Sequence, residues 1–250
     1  MRLPILIACL VFCAGLEAQV LVVNGASFRS DQPVTPGSWV SALGTFPGVT
    51  NTVAPTYPIP KSLGGVNVTI EGVDAPVYFV SASQINFLIP YQTASGLRNV
   101  QVKTSTGTVN GKVRVITAAP GLFIKDTTQQ IPPKGAIRNQ DGVENTSSTP
   151  TQRGKVISIY ATGPGALSQQ VEDGAAAPAQ EPFARTQSTP QVYIGAVEAQ
   201  VQFSGLAPNF AGLWQINAVV PDRPFLSGRV PLQVFMDGVD SNEVSVFVAQ

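Results

Sequence analysis

The chain is written twice, and that constrains its fold more than any other feature. Val68-Thr69-Ile70-Glu71-Gly72-Val73 lies over Val192-Tyr193-Ile194-Gly195-Ala196-Val197, and the match runs without a gap to Phe79 over Phe203. After an insertion at 206–212 it resumes: Gln84-Ile85-Asn86 over Gln215-Ile216-Asn217, Pro90 over Pro221, Gly107 over Gly238, Val113 over Val244 and Val115 over Val246. Upstream, Gly37-Ser38-Trp39-Val40-Ser41 lies over Gly154-Lys155-Val156-Ile157-Ser158. Ordered self-similarity of this kind marks two equivalent structural units, each of which buries a core of its own.

The units are all-β. Apolar runs are short, β-branched and soon interrupted, with Gly 23 and Pro 21 in the chain, so strand signals recur where helical periodicity does not. In the first unit strands are expected at 20–23, 39–44, 66–70, 76–80, 84–89, 100–104 and 112–116. Short strands at that spacing in a unit of roughly 100 residues read as an immunoglobulin-like β-sandwich. The expected organisation is a leader at 1–18, a first sandwich at 19–117, a linker at 118–134 containing Ile131-Pro132-Pro133, and a second sandwich at 135–250. Two Pro-rich loops stand out, at 45–60 and 162–190. The longer exceeds the usual limit for an unstructured loop in a compact domain, and reads as a loosely packed surface excursion in preference to a functional loop.

The leader carries Arg2, an apolar run from Ile5 to Leu16, and then Leu16-Glu17-Ala18. The run is short against the ~20 residues that span a bilayer, so it reads as a cleaved signal peptide and implies secretion to the periplasm, outer surface or medium. A lipid anchor at Cys13 is the weaker alternative, because bulky Phe12 stands where a small residue is usual in a lipoprotein box. Both cysteines, Cys9 and Cys13, fall in this leader, so the rest of the chain can form neither disulfides nor thiolate sites.

Charged residues are only 12% of the chain and the net charge is zero, with no basic stripe to meet phosphates and no basic amphipathic helix to lie on a membrane. Nucleic acid is thereby excluded as a partner, and no membrane span is expected. The absence of histidine removes Ser-His-Asp and Cys-His catalysis and the commonest nitrogen ligand for metals. Carboxylates remain. Glu172-Asp173 sits in the long loop and reads as solvated. Asp237, Asp240 and Glu243 are weak candidates for a Ca²⁺ site, but Asp237-Gly238 between alternating strands is first a hairpin turn, whose central residues take positive φ. Gly107-Thr108-Val109-Asn110-Gly111-Lys112 and Gly163-Pro164-Gly165 lack the spacing of phosphate-binding loops and read as turns. No cofactor is expected, and no catalytic residue.

Gln84, Asn86, Gln215 and Asn217 occupy equivalent strand positions in both units and are expected to act as structural pins, bonding neighbouring loop backbone. The ligand-binding candidates are aromatic: Trp39, Tyr57, Tyr91, Phe183 and Phe210. Trp39 leads them, since Val40 and Ala42 align with Ile157 and Ile159 and take the inward phase, which turns Trp39 outward.

Asn24-Gly25-Ala26-Ser27-Phe28, Pro36-Gly37-Ser38, Ser62-Leu63-Gly64-Gly65, Gln84-Ile85-Asn86, Tyr160-Ala161-Thr162-Gly163 and Gly205-Leu206-Ala207-Pro208, taken in order, resemble acidobacterial secreted proteins that carry the Solibacter-type C-terminal domain. The resemblance implies a secreted β-rich module with no assigned activity, and Trp39 departs from it where a smaller aliphatic residue is expected. The function expected from all of this is a secreted, non-catalytic interaction or structural module of the cell envelope or extracellular space, with an unknown protein or polysaccharide partner. A carbohydrate-binding protein is the alternative, and a carboxylate-only hydrolase stands behind it.

Overall fold

The computed structural model describes residues 19–125 and 131–250, and the leader with Cys13 lies outside the described residues. The first half comprises β1 (Gln19–Asn24), β2 (Trp39–Leu43), β3 (Thr52–Val53), β4 (Ser62–Leu63), β5 (Val66–Ile70), β6 (Val73–Asp74), β7 (Val77–Val80), β8 (Gln84–Leu88), β9 (Gly96–Thr104) and β10 (Gly107–Val115). The second comprises β11 (Gly121–Leu122), β12 (Ile137–Asn139), β13 (Val156–Thr162), β14 (Gln191–Ile194), β15 (Val197–Ala199), β16 (Val201–Leu206), β17 (Trp214–Val219), β18 (Gly228–Met236), β19 (Val239–Asp240) and β20 (Val244–Val248).

In the first half β1-β2-β8-β7 form one layer and β5-β9-β10 the other, and β1 joins them by pairing antiparallel with β2 and parallel with β10. That is the four-plus-three arrangement of an immunoglobulin-like sandwich. The second half repeats it, with β12-β13-β17-β16 against β14-β18-β20, and parallel bridges from Lys134 to Ser245 and Thr151 to Val248 stand in for the β1–β10 pairing. Equivalence extends to single turns. Glu71-Gly72 (φ 49° and 81°) and Gly195-Ala196 (φ 56° and 63°) occupy matching two-residue hairpins, where positive φ at both central positions suits the strand twist.

Alternation sets what each strand buries. Val68, Ile70, Val100 and Val102 face inward in the first sandwich, Val192, Ile194, Leu232 and Val234 in the second, and every one is at most 1% exposed. The second core also takes in Ala118 and Leu122, and β11 pairs with β13, so this part of the segment read as linker is built into the second sandwich. The loop at 163–190 is likewise packed. Val171, Ala177 and Ala184 are buried with Leu206 against Tyr91 of the first sandwich, and Ile59 N–H donates to Gly174 O at 2.8 Å, so the loop is a wedge between the domains and not a loose excursion. Among the described residues no helix is long and apolar enough to cross a membrane.

Candidate functional site

Trp39 opens β2 with its side chain on the outer face of the first sandwich, while Val40 and Ala42 are fully buried on the inner face. The insertion at 206–212 reaches this outer face from the second sandwich. Positive φ at Asn209 (68°) and Gly212 (60°) folds the loop back, and Ala207 N–H closes it on Leu213 O at 2.7 Å. Ala211 at its tip joins the first sandwich's core at 1% exposure. Trp39 is held from both ends: its backbone N–H donates to Thr162 Oγ1 at 2.7 Å and its indole N–H to Ala211 O at 3.1 Å.

Beside this joint a cleft of about 250 Å³ remains open between the domains. Trp39 and Tyr78 line it in an edge-on pair with centroids 5.3 Å apart, Phe123 contributes from the segment after the first sandwich, and Tyr57 and Phe210, 41% and 48% exposed, complete the wall. Its polar part is Ser41 and Asn86. Burial raises the Tyr57 phenol above its ordinary pKa, and neighbouring Tyr78 adds to this, so Tyr57 is a neutral hydroxyl at physiological pH.

Of the five aromatic candidates, then, Trp39, Tyr57 and Phe210 converge, and Tyr91 and Phe183 lie in other clusters. Tyr91 is sunk beneath the 163–190 wedge at the edge of a second interdomain groove, with its backbone N–H bonded to Asp173 Oδ1 at 2.8 Å. Burial, with the Asp173 charge adding to it, pushes its phenol far above the ordinary value. Phe183 packs edge-on against Phe203, with the Arg185 guanidinium 4.9 Å from the Phe203 ring centre. Tyr78 and Phe123 escaped the sequence reading. Tyr78 carries the outward phase of a strand that also holds Val77 and Val80, but alternation cannot say that a second domain faces it.

The amides are placed differently from expectation. Asn86 Oδ1 accepts from Gln84 Nε2 at 2.7 Å and from Ser41 Oγ at 2.9 Å, and Asn217 Oδ1 accepts from Gln215 Nε2 at 2.9 Å and from Ser158 Oγ at 3.0 Å. The serine bonds tie strand to strand on the outer face and the glutamine bonds run along one strand, where loop backbone was the expected partner. Asp237 and Gly238 take the hairpin turn with φ of 49° and 82°, and among the described residues no three carboxylates come together as a metal site, so Asp237, Asp240 and Glu243 do not form one.

No family model matches the chain, and no curated protein does. Solved structures do. SGBP-B of the Bacteroides ovatus mixed-linkage glucan utilization locus, solved with a mixed-linkage heptasaccharide, is 12% identical with a TM-score of 0.34 over 86% of this chain. This chain spans only 43% of that protein's length. The titin tandem A164-A165 is 8% identical with a TM-score of 0.24, covering 87% of this chain and 89% of that one. Dpr2 Ig1-Ig2, solved with DIP-Theta, is 9% identical with a TM-score of 0.25, covering 93% of this chain and 65% of that one. The sheet order and the two separate cores make the chain a tandem of immunoglobulin-like sandwiches.

Proposed function

We propose that the protein is a secreted, non-catalytic binding module whose ligand seats in the aromatic cleft between its two sandwiches. The observation that carries this is the convergence of Trp39, Tyr57, Tyr78, Phe123 and Phe210 from both domains around open space, with Tyr57 and Phe210 left about half exposed. Concave sites lined by aromatic side chains with a few fixed polar groups are the usual form of a small-ligand pocket, and here Ser41 and Asn86 supply the polar groups. The ligand presents a flat apolar face and hydrogen-bonding edges, on the scale of one ring. Secretion is supported by the leader and by the resemblance to secreted proteins. A non-catalytic role is supported by the absence of histidine and by the use of Asp173 to hold Tyr91 N–H.

The test is capture on the immobilised protein from cell-envelope extract and from a panel of soluble glycans, beside the double variant Tyr57→Ala/Phe210→Ala. A component retained by the parent protein and lost from a variant with unchanged melting supports the cleft. The reading is overturned if the parent retains nothing, or if every component that the parent retains is retained equally by the variant.

A further inference from the structure

The duplication supplies an internal control for every exposed residue, because what one sandwich lacks the fold does not require. On the layer formed by β14 and β18 the outward positions are Gln191, Tyr193, Gln233 and Phe235, with Tyr193 opposite Gln233 and Gln191 opposite Phe235. The matching register on β5 and β9 sets Thr69 opposite Gln101 and Asn67 opposite Lys103. Inward positions are apolar in both copies. Outward, amides stand over amides, but Thr69 becomes Tyr193 and Lys103 becomes Phe235.

Those two substitutions create a site. The Tyr193 and Phe235 rings lie 5.6 Å apart at 88°, forming a corner on the sheet face. Around it is a depression of about 710 Å³ that Gln191, Gln233 and Glu243 also line. Gln233 is fixed across the face by its amide nitrogen, which donates to Ser241 O at 3.1 Å. Among the described residues no lysine or arginine lines the depression, whereas the sister face carries Lys103.

We propose that this outer face of the second sandwich is a binding site for neutral polysaccharide. A sugar ring has an apolar C–H face, which an aromatic ring receives, and an equatorial rim of hydroxyls, which amides and a carboxylate satisfy. With one ring as floor and the other as wall, the corner holds a single sugar unit while the two glutamines meet its hydroxyls. Glu243, with no cation beside it in the lining, disfavours an anionic chain, so the charge of the face complements an uncharged polymer. The proposal shares with the proposed function only the premise that the protein binds a ligand, since the cleft lies on the first sandwich's other layer and uses none of these residues.

The test is electrophoresis of the purified protein through native gels cast with mixed-linkage β-glucan, xylan or galactomannan, and with polygalacturonate as the anionic control. The double variant Tyr193→Thr/Phe235→Lys installs the residues that the first sandwich carries at these positions. The expected result is retardation of the parent protein by at least one neutral polymer, weakened at least ten-fold in the double variant and unaffected in Tyr57→Ala/Phe210→Ala. Should the double exchange lower the melting temperature, Tyr193→Ala alone decides: lost retardation supports the site and retained retardation overturns it. The proposal is also overturned if no neutral polymer retards the parent protein, if polygalacturonate alone does, or if a stable double variant is retarded equally. Loss of binding only in the cleft variant would assign the sugar to the cleft and remove it from this face.

Discussion

Ser41 Oγ donates to Asn86 Oδ1 across the β2–β8 pair at 2.9 Å, and the second sandwich repeats the contact between Ser158 and Asn217 at 3.0 Å. In each copy a glutamine two residues before the asparagine donates to the same oxygen. Asn86→Ala and Asn217→Ala each remove the shared acceptor and leave a serine and a glutamine without it. Each is expected to cost about 1 to 2 kcal/mol, since the amides are only partly buried and water recovers some of the loss. Thermal melting of the two single variants checks this, and unchanged midpoints in both would show that the repeated contact contributes nothing.

The two sandwiches are joined through Trp39, and the joint has a removable part. Thr162 is fully buried, and its hydroxyl is the acceptor for the Trp39 backbone N–H at 2.7 Å. Thr162→Val keeps the shape and deletes the acceptor, stranding a backbone donor at a cost of about 1 to 3 kcal/mol. Because the bond crosses the interface, the effect is expected to fall on domain coupling. Calorimetry of the variant should show two separable transitions where the parent shows one.

Gly212 tests the docking of the insertion loop. Its φ is +60°, and a Cβ there would collide with the Leu88 side chain of the first sandwich, so Gly212→Ala is strained in backbone and contact together. The expected outcome is a loop lifted from the Trp39 face, read as faster proteolytic cleavage within 207–213 and a red-shifted tryptophan emission. Gly65 also has positive φ (76°) but no neighbour within 4 Å, so Gly65→Ala carries the backbone strain alone and serves as the control.

How much of this was legible in sequence differs between fold and site, for a physical reason. Strand periodicity and turn chemistry are local, so the expected strand at 66–70 is observed as Val66–Ile70, and the outward phase of Trp39 followed from Val40 and Ala42. Two-residue strands such as β3, β4 and β6 are too short to show a period. The exposed start of β9 at Gly96–Asn99 lacks the buried alternation that marks a strand, so the pattern predicts 100–104 where Gly96–Thr104 is observed. The cleft needed tertiary information. The insertion at 206–212 was visible as a difference between the copies, but nothing in its own residues says that Ala211 ends in the other domain's core. Tyr91 and Phe183 have the composition of a binding aromatic, and their neighbours give them other roles.

Glu144 gives a pH dependence of known sign. Its carboxylate takes Lys134 Nζ at 2.8 Å and Lys125 Nζ at 3.5 Å, and the Lys134 hydrogen bond first, with the charges of both lysines, holds its pKa below the ordinary glutamate value. A depressed carboxylate stabilises the fold fully above its unfolded pKa, and that contribution disappears as pH falls through the lower folded value. The effect is small, because the carboxylate is largely solvated. NMR titration of the Glu144 carboxyl should give a midpoint below that of an unperturbed glutamate, and Lys134→Met should move it back up. An identical midpoint in the variant would mean that the pair does not hold in solution.

The sharpest of these tests concerns Asn242, which replaces a strand. Where β10 runs unbroken in the first sandwich, the second interrupts it between β19 and β20, and Asn242 turns inward to pair with Leu122 as a neighbouring backbone would: Leu122 N–H donates to Asn242 Oδ1 at 2.8 Å, and Asn242 Nδ2 donates to Leu122 O at 3.1 Å. Asn242→Ala loses both bonds in a buried setting and is expected to cost about 2 to 4 kcal/mol. Asn242→Asp is more informative. Its carboxylate still accepts from Leu122 N–H but faces Leu122 O with no proton to donate, and burial raises its pKa because the charged form is disfavoured there. Protonation restores the donor. The deficit of the Asp variant against the parent is therefore expected to be largest at neutral pH and to shrink as pH falls through the raised folded pKa, while the Ala variant's deficit stays flat over the same range. Parallel deficits for Asp and Ala at all pH values would show that the side chain fills space at this position without substituting for the missing strand.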